Sequence, residues 1–132
     1  MSSGIVGTWR LVKAMSVGGD GKELPGPYGG DKAMGRVTFN ADGRMMAVLC
    51  DGRPTLPEGA VREYNSYCGN YTFDGTRLVT RVDASSAATR LGSEQVRDVH
   101  YEGALMVLRP PQRPYGERVE QRTLWWEKIS DV

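Results

Sequence analysis

Three dipeptides constrain the fold of this chain more than any other feature: Asp42-Gly43, Asp74-Gly75 and Glu102-Gly103. Each lies between two short segments rich in apolar, aromatic or β-branched residues. An acidic residue followed by glycine suits a tight turn between antiparallel strands, because glycine adopts the positive φ that such turns demand. Met34 to Phe39 and Arg44 to Cys50 flank Asn40-Ala41-Asp42-Gly43, Tyr67 to Phe73 turns back as Arg77 to Ser85, and Val96 to Tyr101 turns back as Ala104 to Arg109. Gly7 to Lys13 opens the series and Val119 to Ile129 ends it. The segments between hairpins, GGDGKELPGPYGGDK, DGRPTLPEGAVREYNSY, SSAATRLGSE and PPQRPYGE, are rich in glycine, proline and polar residues and read as loops. Prolines in the second exclude a long helix and leave at most a turn or two over Glu58 to Tyr64.

Eight strands joined largely by tight turns predict an all-β meander. An open sheet of eight strands exposes two long edges, and closure into a barrel removes them. The expected fold is therefore a single eight-stranded antiparallel up-and-down β-barrel occupying residues 1–132 as one domain, with at most one short helix. A barrel of that size is filled by side chains or holds one small ligand.

Charge and cysteine content narrow the partners. Seventeen basic and sixteen acidic side chains give a net charge of +1, which offers no field for nucleic acid or an anionic membrane. No run approaches the ~18 apolar residues of a membrane helix. The opening MSSGIVGTWRLVKAM is interrupted by glycine, serine and charge and does not read as a secretory signal. Cys50 and Cys68, the two cysteines, are therefore expected as reduced, half-buried thiols in a cytoplasmic protein.

Gly7-Thr8-Trp9 is a G-x-W unit at the start of the first strand, the mark of the opening strand in the lipocalin superfamily. Further blocks follow in order: Gly35-Arg36-Val37-Thr38-Phe39, then Asp42-Gly43-Arg44-Met45, then Tyr64, Tyr67, Gly69 and Tyr71, then Gly92, Gln95, Val96 and Arg97, and last Leu124 with Trp126-Glu127. Over nearly its whole length the chain resembles the bacterial and fungal lipocalin-like domain family. The resemblance implies a calycin-type barrel enclosing a small molecule. Thr80-Arg81 stand where the family often carries a pair of histidines, and Lys128 replaces a closing arginine. In such a barrel Trp9 plugs one end under a cation from the last strand, Arg122 or Lys128.

Alternation separates each strand into two faces without saying which lies inside. Val79, Arg81, Asp83 and Ser85 share one face of their strand, and Arg97, Val99 and Tyr101 share one face of the next. Arg97 belongs to a block that resembles the family and is placed inward, with Val99 and Tyr101. Because arginine keeps its charge at any working pH, Arg97 suits binding or stabilising an oxyanion. Asp83 is a candidate partner for it. Tyr67 and Tyr71 share a face and offer hydroxyl donors and aromatic walls. The candidate catalytic residues are thus Arg97, Tyr67 and Asp83, and the candidate ligand-binding residues Tyr71, Arg81, Tyr101, Met46 and Val99. His100, the sole histidine, has the opposite parity to Arg97 and is expected in solvent. One histidine and two separated cysteines do not make a zinc set, so no metal is expected. No dinucleotide fingerprint, P-loop or nucleophile elbow is present, and no cofactor is expected.

Two functions fit this reading. One is a cofactor-independent isomerase, cyclase or lyase acting on a small hydrophobic or aromatic metabolite. The other is a non-catalytic intracellular carrier or sensor of such a molecule. A fully packed barrel that binds a protein partner is a third. A monomer or a homodimer satisfies each of them.

Overall fold

Apolar residues alternate with polar ones along the long strands of this protein, and the sheet they form curls until its first and last strands meet. The computed structural model describes residues 4–111, 113–115 and 118–132. The strands are β1 (Gly7–Gly18), β2 (Glu23–Leu24), β3 (Met34–Phe39), β4 (Arg44–Cys50), β5 (Tyr64–Phe73), β6 (Arg77–Ser85), β7 (Glu94–Glu102), β8 (Leu105–Arg109), β9 (Arg113–Tyr115) and β10 (Arg118–Ser130). Eight long strands run antiparallel in sequence order, and β1 pairs with β10 from Thr8 opposite Ser130 to Gly18 opposite Glu120, which closes the barrel. The short β2 and β9 pair only with β1 and β10.

All eight expected strands are present, four of them longer than the pattern suggested: β1 continues to Gly18, β5 begins at Tyr64, β7 spans Glu94–Glu102 and β10 Arg118–Ser130. The helical turn expected over Glu58 to Tyr64 is absent. Two prolines and Gly59 leave that segment a single turn bond, Ala60 N–H to the Pro57 carbonyl at 3.0 Å, and Tyr64 has joined β5. The helical segments are instead short 3-10 turns at Pro27–Lys32 and Ala88–Arg90. Cys50 and Cys68 are both free and half-buried.

In an up-and-down barrel, alternate connections lie at the same end. The three tight turns (40–43, 74–76 and 103–104) therefore gather at one end, and the long loops gather at the other. Gly75 carries φ 106° in its turn, a conformation other residues adopt only with strain. The tight-turn end is plugged. Trp9 is 3 % exposed, its Nε1 donates to the Ile5 carbonyl at 2.9 Å, and Lys128 Nζ sits 5.5 Å from its ring centroid. Lys128 supplies the cation there; Arg122 is at the opposite end. Phe39 and Tyr71 meet edge to face at 5.1 Å, and Met106 and Ile5 are fully buried beside them.

At the long-loop end, Asp51 organises the connections. Its carboxylate is 1 % exposed and accepts from Arg53 Nε at 3.0 Å and Nη2 at 2.6 Å. Arg62 Nη1 donates to the Asp51 carbonyl at 2.7 Å. The same carboxylate lies so close behind Gly29 that a Cβ there would come within 2.6 Å of it. Asp51 thus backs the turn that carries Tyr28.

Two outcomes test this architecture. At the β5 bulge, a Cβ on Gly69 would collide with the backbone carbonyl of Arg81, so Gly69→Ala should destabilise the protein by about 2–3 kcal/mol in chemical denaturation. The Arg53 hydrogen bonds hold the Asp51 carboxyl below its ordinary value of 3.8. A carboxyl depressed in the folded state adds stability above its unfolded pKa and loses it as pH falls through the folded one. The wild-type melting temperature should therefore drop below about pH 4 more steeply than that of Asp51→Asn, measured over pH 2–7.

Candidate functional site

The inner faces of β3, β4, β5, β6, β7, β8 and β10 leave a chamber of about 60 Å³ inside the barrel. Its walls are mostly apolar, with Val37, Phe39, Leu49, Leu78, Leu108 and Leu124 among them. A volume of that size holds roughly four or five waters, or one ring or short chain. Towards the long loops lies a second hollow of about 360 Å³. Tyr28, Asn65, Arg90 and Arg122 line both spaces, so the two adjoin across these side chains. The result is a slim apolar well beneath a wider polar mouth.

Several sequence candidates stand where expected. Arg97 and Tyr67 line the chamber. Val99 faces inward and is 5 % exposed, but it packs in the core and does not line the chamber. His100 is exposed and pairs with Glu102 at 3.2 Å. Others do not stand there. Asp83 is on the outer face of β6, bound to Arg44 at 2.5 Å, so it cannot serve Arg97. Arg81 shares that outer face and is exposed. Met46 is 62 % exposed on the outside of β4, where Met45, Ala47 and Leu49 take the inward parity. Tyr71 does face inward, but at the plugged end its hydroxyl donates to the Asn40 carbonyl at 2.7 Å. Tyr101 is 45 % exposed at that same end.

The mouth is built mainly from residues that alternation does not flag. Tyr28 is 7 % exposed and takes φ 58°, ψ 28°, a left-handed conformation unusual for a tyrosine. Its backbone N–H donates to Glu63 Oε1 at 2.8 Å, which ties the β1–β3 loop to the base of β5. Burial, with the Glu63 charge behind it, pushes the Tyr28 phenol above its ordinary 10.0. Tyr28 therefore remains a neutral hydroxyl donor throughout the physiological range. Asn65, 9 % exposed near the start of β5, sits beside the phenol and opposes that rise.

Two guanidinium groups, Arg90 and Arg122, line this mouth, and a third, Arg97, lines the chamber beneath it. Arg122, projecting from β10, lies 3.7 Å from Glu63 and 3.6 Å from Glu120, and Glu120 also accepts from the fully buried Ser16 at 2.6 Å. Arg90 and Arg97 are held differently. Arg90 Nη1 donates at 3.0 Å and Arg97 Nη2 at 2.7 Å to one acceptor, the neutral side-chain oxygen of Gln95. At the far side of the chamber Trp126 is 2 % exposed, and its indole N–H has no hydrogen-bond partner among the described residues. A buried donor left unpaired costs on the order of 1–3 kcal/mol unless an occupant accepts from it.

The described residues hold no cluster of three or more potential metal ligands, and no helix is long and apolar enough to cross a membrane. The chemistry on offer is that of fixed donors around an apolar well: it can enclose a small molecule, orient it, and hold negative charge on an oxygen.

No curated protein and no solved structure matches the chain. The model of the lipocalin-like domain family matches residues 6–129. That span runs from the residue before the Gly7-Thr8-Trp9 strand almost to the end of β10, and so takes in the well and its mouth. With the closed eight-stranded barrel already described, the match shows that this chain belongs to the lipocalin-like domain family.

Proposed function

We propose that this barrel receives one small, largely apolar molecule through its long-loop end and encloses it against Phe39, Leu78, Leu108 and Leu124. The observation that carries this reading is the well itself: an apolar chamber, plugged beneath by Trp9 and adjoining a polar mouth. Ligand sites are typically of this kind, mostly apolar with a few placed polar groups. Trp126 offers a buried N–H that the described residues leave unmatched, available to an acceptor on the occupant. An intracellular carrier or sensor needs no more than this.

A second reading is favoured by Tyr28. A protonated phenol in a left-handed turn, beside Arg90 and Arg122, is a preorganised donor of the sort that stabilises an enolate or other oxyanion. On this reading the protein is a cofactor-independent isomerase, cyclase or lyase acting on a carbonyl compound. Arg97 and Tyr28 polarise the carbonyl, and the well excludes water. Tyr67 lends its ring to the wall.

Both readings are open to measurement. The neutral probe 2-naphthol should bind saturably, one per chain, and quench tryptophan emission. Filling the well by Ala47→Phe or Leu108→Phe should weaken that binding by tenfold or more, with circular dichroism unchanged. Absence of saturable binding, or binding indifferent to both replacements, would overturn the proposal. If the protein is an enzyme, Tyr28→Phe should lower kcat by roughly 100-fold, in the range of a lost oxyanion donor, and leave KM nearly unchanged. A parallel rise in KM with kcat intact would assign Tyr28 to binding alone.

A further inference from the structure

The electrostatics of the mouth say what kind of molecule the well takes. Arg90 and Arg97 converge on one side-chain oxygen of Gln95, which is itself only 9 % exposed, so their donating nitrogens lie within about 6 Å of each other. Among the described residues neither forms an ion pair. Two like charges are thus brought together by a neutral group, an arrangement that costs energy until an anion arrives. Arg122, the third guanidinium, faces Glu63 and Glu120 instead. Glu63 and Glu120 beside Arg122, and Glu94 in the surface hollow it shares with Arg97, keep the local positive excess small, which suits a monoanion. A phosphate, close to doubly charged at neutral pH, would meet the two glutamates at the same rim.

Resting on the reading that the barrel encloses a small apolar molecule, we infer that the occupant is an organic acid, its carboxylate received by Arg90 and Arg97 and its apolar body lying in the well. The planar guanidinium presents parallel N–H donors that match the two oxygens of a carboxylate. Arg97 also has Nη1 committed to the Val96 carbonyl at 2.8 Å, which with the Gln95 bond fixes its plane before any ligand enters. The carboxylate comes to rest at the junction of well and mouth, since Arg90 lines both spaces and Arg97 lines the inner one. Acid and apolar tail are then read by separate parts of the protein, one by loop and strand arginines and the other by strand side chains.

The test compares 4-phenylbutanoate with its methyl ester, which keeps the body and removes the charge, by isothermal titration calorimetry at neutral pH. The acid should bind at least tenfold more tightly, and its affinity should fall with added salt while that of the ester does not. Arg97→Met should weaken acid binding by roughly 10- to 100-fold, the range for a charged hydrogen bond, and weaken ester binding far less. Retained ester binding shows that the variant is folded, and Arg90→Met should repeat the pattern. Equal affinity for acid and ester in the wild type would overturn the inference and leave the proposed function standing. An acid preference that survives both replacements would overturn it too. Failure of acid, ester and 2-naphthol alike would remove the proposed function along with it.

Discussion

Closure between β1 and β10 is the constraint on which the rest depends. That ladder abolishes the free edges an eight-stranded sheet would expose. It also sets both ends of the barrel. At one end it places Lys128 over Trp9, so a cation from the last strand caps the aromatic plug of the first. At the other it brings Ser16 against Glu120, and Glu120 with Glu63 positions Arg122. Plug and mouth are therefore not independent features: one register aligns them, and a slip of one residue would turn every side chain of β10 to the opposite face.

The interior is polarised along its axis. From the plug upward it passes from tightly packed Trp9, Phe39 and Met106 to a slim apolar chamber, and then to donors gathered around Tyr28. The donors are costly to keep there. Tyr28 holds a left-handed backbone, two arginines share one amide, and an indole N–H goes without a partner. Local rules are broken together in one small region while the strands around it obey them. Such concentration of strain marks the part of a protein shaped for something other than stability.

Turns and strands were legible in the sequence because each signal is local. Glycine after an acidic residue marks a tight reversal, and alternation marks a strand with one buried face. The shared inward face of Arg97 and Val99 followed from a block that resembles the family, and Tyr67 was found on the same kind of parity argument. Elsewhere parity failed, because alternation divides a strand into two faces without naming the inner one. Arg81 and Asp83 look as suitable as Thr80 and Val82 until the neighbouring strands are in place. In β4 both faces are apolar, so Met45 and Met46 could not be told apart. Tyr28 and Arg90 were invisible for another reason: they sit in loops, where alternation carries no information, Tyr28 held by the distant Asp51 and Glu63 and Arg90 by Gln95 at the start of β7.

The segregation of tight turns to one end and long loops to the other has an evolutionary meaning. The turns at the plugged end leave no slack, and changing their length would shift the register of two strands at once. The loops at the mouth carry no such burden, since lengthening a surface connection adds only a slowly growing entropic cost. Tyr28, Glu63 and Arg90 all belong to those loops or their junctions. Relatives can thus acquire new ligand preferences by rewriting loop residues while inheriting the same well, so divergence of specificity need not await divergence of fold.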